Sequence, residues 1–68
     1  MSAIDYMLRT SNLEMRIGGI RYLLGQVVDG KLQINKPLFD DLGYVAKSRA
    51  NRLIEAANKA ISYKLSAE

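Results

Sequence analysis

The sequence predicts an all-α fold: an antiparallel two-helix hairpin, with a short extra N-terminal helical turn as a variant, completed by dimerisation or a partner chain. Three observations carry this expectation. Leu13, Ile17, Ile20, Leu24 and Val27 follow spacings of four and three residues, the seam pattern of a packed helix or coiled coil. Phe39, Leu42, Ala46, Ala50, Leu53, Ala57, Ala60 and Ile61 form a similar stripe in the second half. Between the two stripes fall the punctuating residues, Asp29-Gly30 and Asn35-Lys36-Pro37.

The first helix is expected over about residues 3–29. Ser2 is a weak cap before Asp5, while Ser11-Asn12-Leu13-Glu14 matches a capping box, in which Ser and Glu reciprocally satisfy free backbone donors. That second cap supports an alternative: a short turn, a break near residues 10–12, and a main helix from Asn12. Asp29-Gly30 reads as a helix stop, because glycine readily takes the left-handed conformation after the last turn. Residues 30–35 form a linker, extended by the polar–apolar alternation of Lys31-Leu32-Gln33-Ile34. Asn35 can cap the second helix and Pro37 suits its first turn. The second helix runs over about residues 36–65, with Gly43 leaving open whether it is continuous or kinked. Alanines 46, 50, 57 and 60 would let the two backbones approach closely.

Composition narrows the chemistry. The 68 residues make one domain, and they include no cysteine and no histidine. A disulfide framework is therefore excluded, and the usual zinc ligands and Ser-His or Cys-His nucleophile systems are missing. The adjacent Asp40 and Asp41 would point about 100° apart on a helix, so they read as a solvated helix start rather than a catalytic pair. The expectation is a protein without enzymatic activity, cofactor, metal or small-molecule substrate. So short a domain buries only about 60% of the surface its unfolded chain exposes, which favours a macromolecular partner or self-association. The Cys-free composition fits a reducing compartment. Asp5, Arg9 and Asn12 interrupt any signal-peptide pattern, and no run approaches the roughly 18 apolar residues of a membrane span. A cytoplasmic location is expected.

Two surfaces are left after the core is assigned. On the back of the first helix, Met15 and Tyr22 would be joined by Gly18, Gly19 and Gly25. Glycine costs about 1 kcal/mol relative to alanine inside a helix, so three of them suggest a surface for close approach of a protein partner or a second subunit. The other surface is basic. Residues 1–30 hold three arginines against three acids, whereas residues 31–68 hold seven lysines and arginines against four acids and carry the whole net charge of +3. Lys47, Arg49, Asn51, Arg52 and Lys59 are the candidate nucleic-acid contacts on the second helix. The segment Leu42-Gly43 through Leu53-Ile54 resembles the turn and recognition helix of helix-turn-helix proteins. It departs from them in a turn one residue too long and in Ala46, where a capping Ser or Thr is usual.

Over residues 12–65, Tyr44, Glu55, Ala57, Ile61 and Tyr63, with the break at Asp29-Gly30, resemble the small E-component co-chaperones of type III secretion needle proteins. The resemblance implies a helical hairpin that, with a larger helical chaperone, keeps a secreted needle subunit monomeric. It also implies that Met15, Gly18 and Tyr22 contact the partner. The linker with Pro37 is longer than the family's, and a basic charge is not its hallmark. The expected function is thus a helical protein-binding module, most specifically such a co-chaperone. The alternative is a small, basic, helix-turn-helix-like DNA- or RNA-binding regulatory protein, dimeric in form.

Overall fold

Two dipeptides decide the architecture. Gly18 and Gly19 have φ of +58° and +82°, and Asp29 and Gly30 have φ of +53° and +76°. Successive positive φ angles are what a two-residue type I′ turn requires, and its twist matches that of paired strands. The chain therefore folds back twice in succession. In the computed structural model, which describes residues 1–67, β1 (Asn12–Ile17), β2 (Ile20–Val28) and β3 (Lys31–Ile34) form an antiparallel sheet in the order β1-β2-β3.

This overturns the all-α hairpin. Where one helix was expected over residues 3–29 there is a helix of eight residues, α1 (Ala3–Thr10), followed by two strands; the expected linker is mostly β3. The 4-3-4-3 spacing has another origin. Leu13, Met15 and Ile17 alternate onto one face of β1, and the two-residue turn then restarts the alternation at Ile20, Tyr22 and Leu24. A β-bulge follows: Leu13 pairs with Gly25 but Glu14 pairs with Leu23, leaving Leu24 as the extra residue. The bulge shifts the phase, so Val27 joins the inward set three residues after Leu24. Period two, interrupted by a turn and a bulge, reproduces helical spacing.

Local chemistry sets the other boundaries. The Ser2 hydroxyl accepts from the Asp5 N–H at 3.1 Å and caps α1. Ser11 ends it at φ +68°, its N–H bonded to the Met7 carbonyl at 2.8 Å. The Ser11–Glu14 capping box does not form, since Ser11 closes a helix instead of opening one. The second half does begin as a helix at Lys36, but α2 (Lys36–Asp40) is short, and α3 (Tyr44–Ala67) starts beyond a break at Asp41–Gly43. Asn35 makes no side-chain cap bond; its Nδ2 donates to the Leu23 carbonyl at 2.8 Å.

Helices α1 and α3 cover one face of the sheet. Met7, Leu13, Met15, Leu24, Ala50, Ala57 and Ile61 are buried, ringed by half-buried Ile4, Ile17, Tyr22, Val27, Leu32, Phe39, Leu42, Leu53 and Ile54. Ala50 and Ala57, expected in a helix–helix seam, instead seat α3 in the core that the sheet forms with α1. The core is small: among the described residues only Met7, Leu13 and Leu24 are large and fully enclosed, each worth about 1.5–3 kcal/mol of burial. Because the layout is a sheet with helices, the helical-hairpin arrangement implied by the needle co-chaperone resemblance does not hold. Of the residues that carried it, Ala57 and Ile61 are core, Tyr44 and Tyr63 stand exposed on α3, and Asp29-Gly30 is a hairpin turn. Among the described residues no helix is long and apolar enough to cross a membrane.

Candidate nucleic-acid interface

The Gly18-Gly19 turn fixes the register of the first hairpin and so places Arg16 directly opposite Arg21. Residues facing each other across an antiparallel pair have Cβ atoms about 5 Å apart, and like charges there are destabilising. Both side chains are exposed; strand alternation roots them on the face away from the helices, and they line a groove that continues round the β1 edge to α1 and α3. Arg21 has a counter-charge in Glu14, one carboxylate oxygen of which lies 4.0 Å from its Nη1.

A third guanidinium arrives from the far end of the sequence. β1 is an edge strand, and Nη2 of Arg49 on α3 donates to the Arg16 carbonyl at 3.0 Å, tying helix to strand. The start of α1 closes the remaining side. Met1, Ser2, Ala3 and Tyr6 line, with the three arginines, Glu14, Met15 and Leu53, a groove of about 560 Å³. Arg9 reaches back along α1, its Nη1 3.6 Å from Sδ of Met1. The groove thus gathers three of the chain's five arginines, none of its five lysines, and one carboxylate. Guanidinium groups present a planar fork of donors that matches phosphate bidentately, which an ammonium does not.

The residues expected to bind a protein partner are not one surface. Met15 is core at 5% exposure and faces Tyr22, half-buried, across the strands. Gly18 and Gly19 form the hairpin turn. Gly25 is buried beside the bulge, where a Cβ would lie 2.8 Å from the Gln33 carbonyl oxygen. Of the expected nucleic-acid contacts, Arg49 alone lines the groove. Asn51, Arg52 and Lys59 are exposed elsewhere on α3, and Lys47 is half-buried with its ammonium 5.5 Å from the Phe39 ring centroid. The Leu42-Gly43 break expected of a helix-turn-helix is present, but only a five-residue helix precedes it and the helix after it packs on a sheet.

Arg16, Arg21 and Tyr6 escaped the sequence reading. Their signal was available: Gly-Gly flanked by Ile17 and Ile20, with alternating residues outward on both sides, is a hairpin pattern that pairs Arg16 with Arg21. No protein-family model, curated protein or solved structure matches this chain.

Proposed function

We propose that this protein binds nucleic acid, with the groove between α1, the β1–β2 hairpin and α3 holding the phosphate backbone. The observation that carries the reading is the facing pair Arg16 and Arg21 with Arg49 beside them. A sheet under selection for stability alone gains nothing from arginine opposite arginine; a polyanion passing over the pair turns that repulsion into binding energy. Arg49 is held by the Arg16 carbonyl, so part of its side-chain entropy is lost before a ligand arrives. Tyr6, in the same groove, offers a ring on which an unpaired base can stack.

The test is fluorescence anisotropy with labelled single- and double-stranded oligonucleotides over a range of salt concentrations. Three phosphate contacts give a log–log salt slope of about −2 to −3, and removing one arginine lowers its magnitude by about one. Arg16→Ala, Arg21→Ala and Arg49→Ala are each expected to weaken binding and flatten the slope, irrespective of base sequence. Failure of the wild-type protein to bind any oligonucleotide at low salt, or salt slopes untouched by all three variants, sinks the reading. A protein partner would leave a different signature, an affinity that resists salt.

A further inference from the structure

Beside the arginine pair, the face of the sheet away from the helices carries a second pattern that phosphate binding does not use. Its outward residues are Asn12, Glu14 and Arg16 on β1, Arg21, Leu23, Gln26 and Val28 on β2, and Lys31 and Gln33 on β3. Three of them form a row of carboxamides across all three strands: Asn12 pairs with Gln26, and Gln26 with Gln33. Nε2 of Gln26 donates to Oδ1 of Asn12 at 3.0 Å. That bond leaves Gln26 its Oε1 acceptor and one Nε2 hydrogen, and Asn12 its Nδ2 donors and the second lone pair of Oδ1. Beside Gln26 and Gln33 the bulge leaves a depression of about 220 Å³, walled also by Leu23, which is 37% exposed.

We infer that this open face reads base edges in the major groove of B-form DNA, with Asn12, Gln26 and Gln33 selecting A·T pairs; the inference rests on the nucleic-acid reading above. A carboxamide offers one donor and one acceptor side by side, the complement of adenine N7 and N6. An apolar side chain next to it suits the thymine methyl group, and Leu23 stands there. The dimensions agree. Two strand spacings make the row about 10 Å wide, against a major groove of about 12 Å. Arg16 lies four residues along β1 from Asn12, about 13 Å at strand rise, so the arginine pair falls about four base pairs away, on the flanking backbone. Charge is complementary as well: Arg16, Arg21 and Lys31 face outward from the strands against Glu14 alone. Duplex RNA is excluded as the occupant, because side chains cannot read its deep, narrow major groove.

The experiment compares binding to two short DNA duplexes that differ only in a central run, A·T in one and G·C in the other, with a matched RNA duplex as control. Wild-type protein is expected to favour the A·T duplex by about tenfold, the discrimination of one good bidentate contact. Gln26→Ala and Gln33→Ala should abolish the preference and leave affinity for the G·C duplex within about twofold, since the phosphate contacts remain. If alanine unfolds the strand by circular dichroism, Gln26→Thr and Gln33→Thr keep a strand-favouring side chain and serve instead. Equal wild-type affinity for both DNA duplexes, or a preference that survives the glutamine variants, overturns base reading and leaves phosphate binding standing. No binding to any duplex or single strand removes both.

Discussion

The two hairpins of this protein are built on the same turn and differ in what stands behind it. Around Gly18 and Gly19 there is open space: a Cβ built at either would meet nothing within 4 Å. At Gly30 it would meet the Cδ1 of Leu65, near the end of α3, at 3.7 Å. The second hairpin is therefore backed by the longest helix, while the tip of the first, with Ile20 58% exposed, projects free. The free tip is also the one that carries the facing arginines. A ligand can reach the first hairpin from several sides, whereas the second serves the domain's own packing. In this small domain the stabilising and the ligand-accessible parts of one sheet are divided between its two turns.

Leu24 is where that division should disappear. It is fully buried, it is the extra residue of the bulge, and β2 belongs to both hairpins. Leu24→Ala removes core that both share and is expected to cost about 2–5 kcal/mol. For so small a domain that is a large share of the stability, so urea denaturation should show loss of fold or a much lower midpoint. Loss confined to the first hairpin, with protected amides remaining in the second, would mean the two are independent units.

The glycine turns separate the hairpins more finely. Gly18→Ala and Gly30→Ala each force a Cβ into a left-handed position, at about 1–2 kcal/mol. Gly18→Asn should recover most of that, since asparagine tolerates the conformation. The readout that distinguishes the turns is local. Gly30→Ala should shift the methyl resonances of Leu65, and Gly18→Ala should leave them in place while accelerating amide exchange at Ile17 and Ile20. Equal disturbance of Leu65 by both variants would show that the Arg49–Arg16 bond transmits strain at the first turn to the far end of α3.

These turns also mark how much of the fold was legible. Lys36-Pro37 as a helix start and the Ala50, Leu53, Ala57, Ile61 stripe were readable, because they depend on local geometry and one sustained period over the long helix. The sheet was not read, for a physical reason. A two-residue turn and a bulge reset the alternation just where a 3.6-residue period would place the next apolar residue. Asp29-Gly30 is as good a helix stop as it is a type I′ turn, and the choice depends on whether the flanking residues pair. The site suffered accordingly. Arg49 could be named from the helix alone, but Arg16 and Arg21 gain meaning only through a pairing register, and Met15 and Gly25, surface residues on an imagined helix, became core. The Gly-Gly dipeptide, costly in a helix and at ease in a hairpin, was the residue-level clue against the helical reading.

The smallest expected effect tests the proposed role of the free tip most directly. Arg16→Thr removes one of two facing positive charges, keeps a strand-favouring residue, and leaves both the Arg21–Glu14 contact and the backbone carbonyl that Arg49 binds. Relief of a like-charge cross-strand pair is worth about 0.2–1 kcal/mol, so the variant should be slightly more stable than the wild type in urea. It should at the same time bind oligonucleotides more weakly. Those opposite signs are the signature of a residue kept for ligand at the expense of fold. A variant that loses stability and affinity together would assign Arg16 to the sheet's own cohesion. One that gains stability with unchanged affinity would leave the arginine pair without a role in binding.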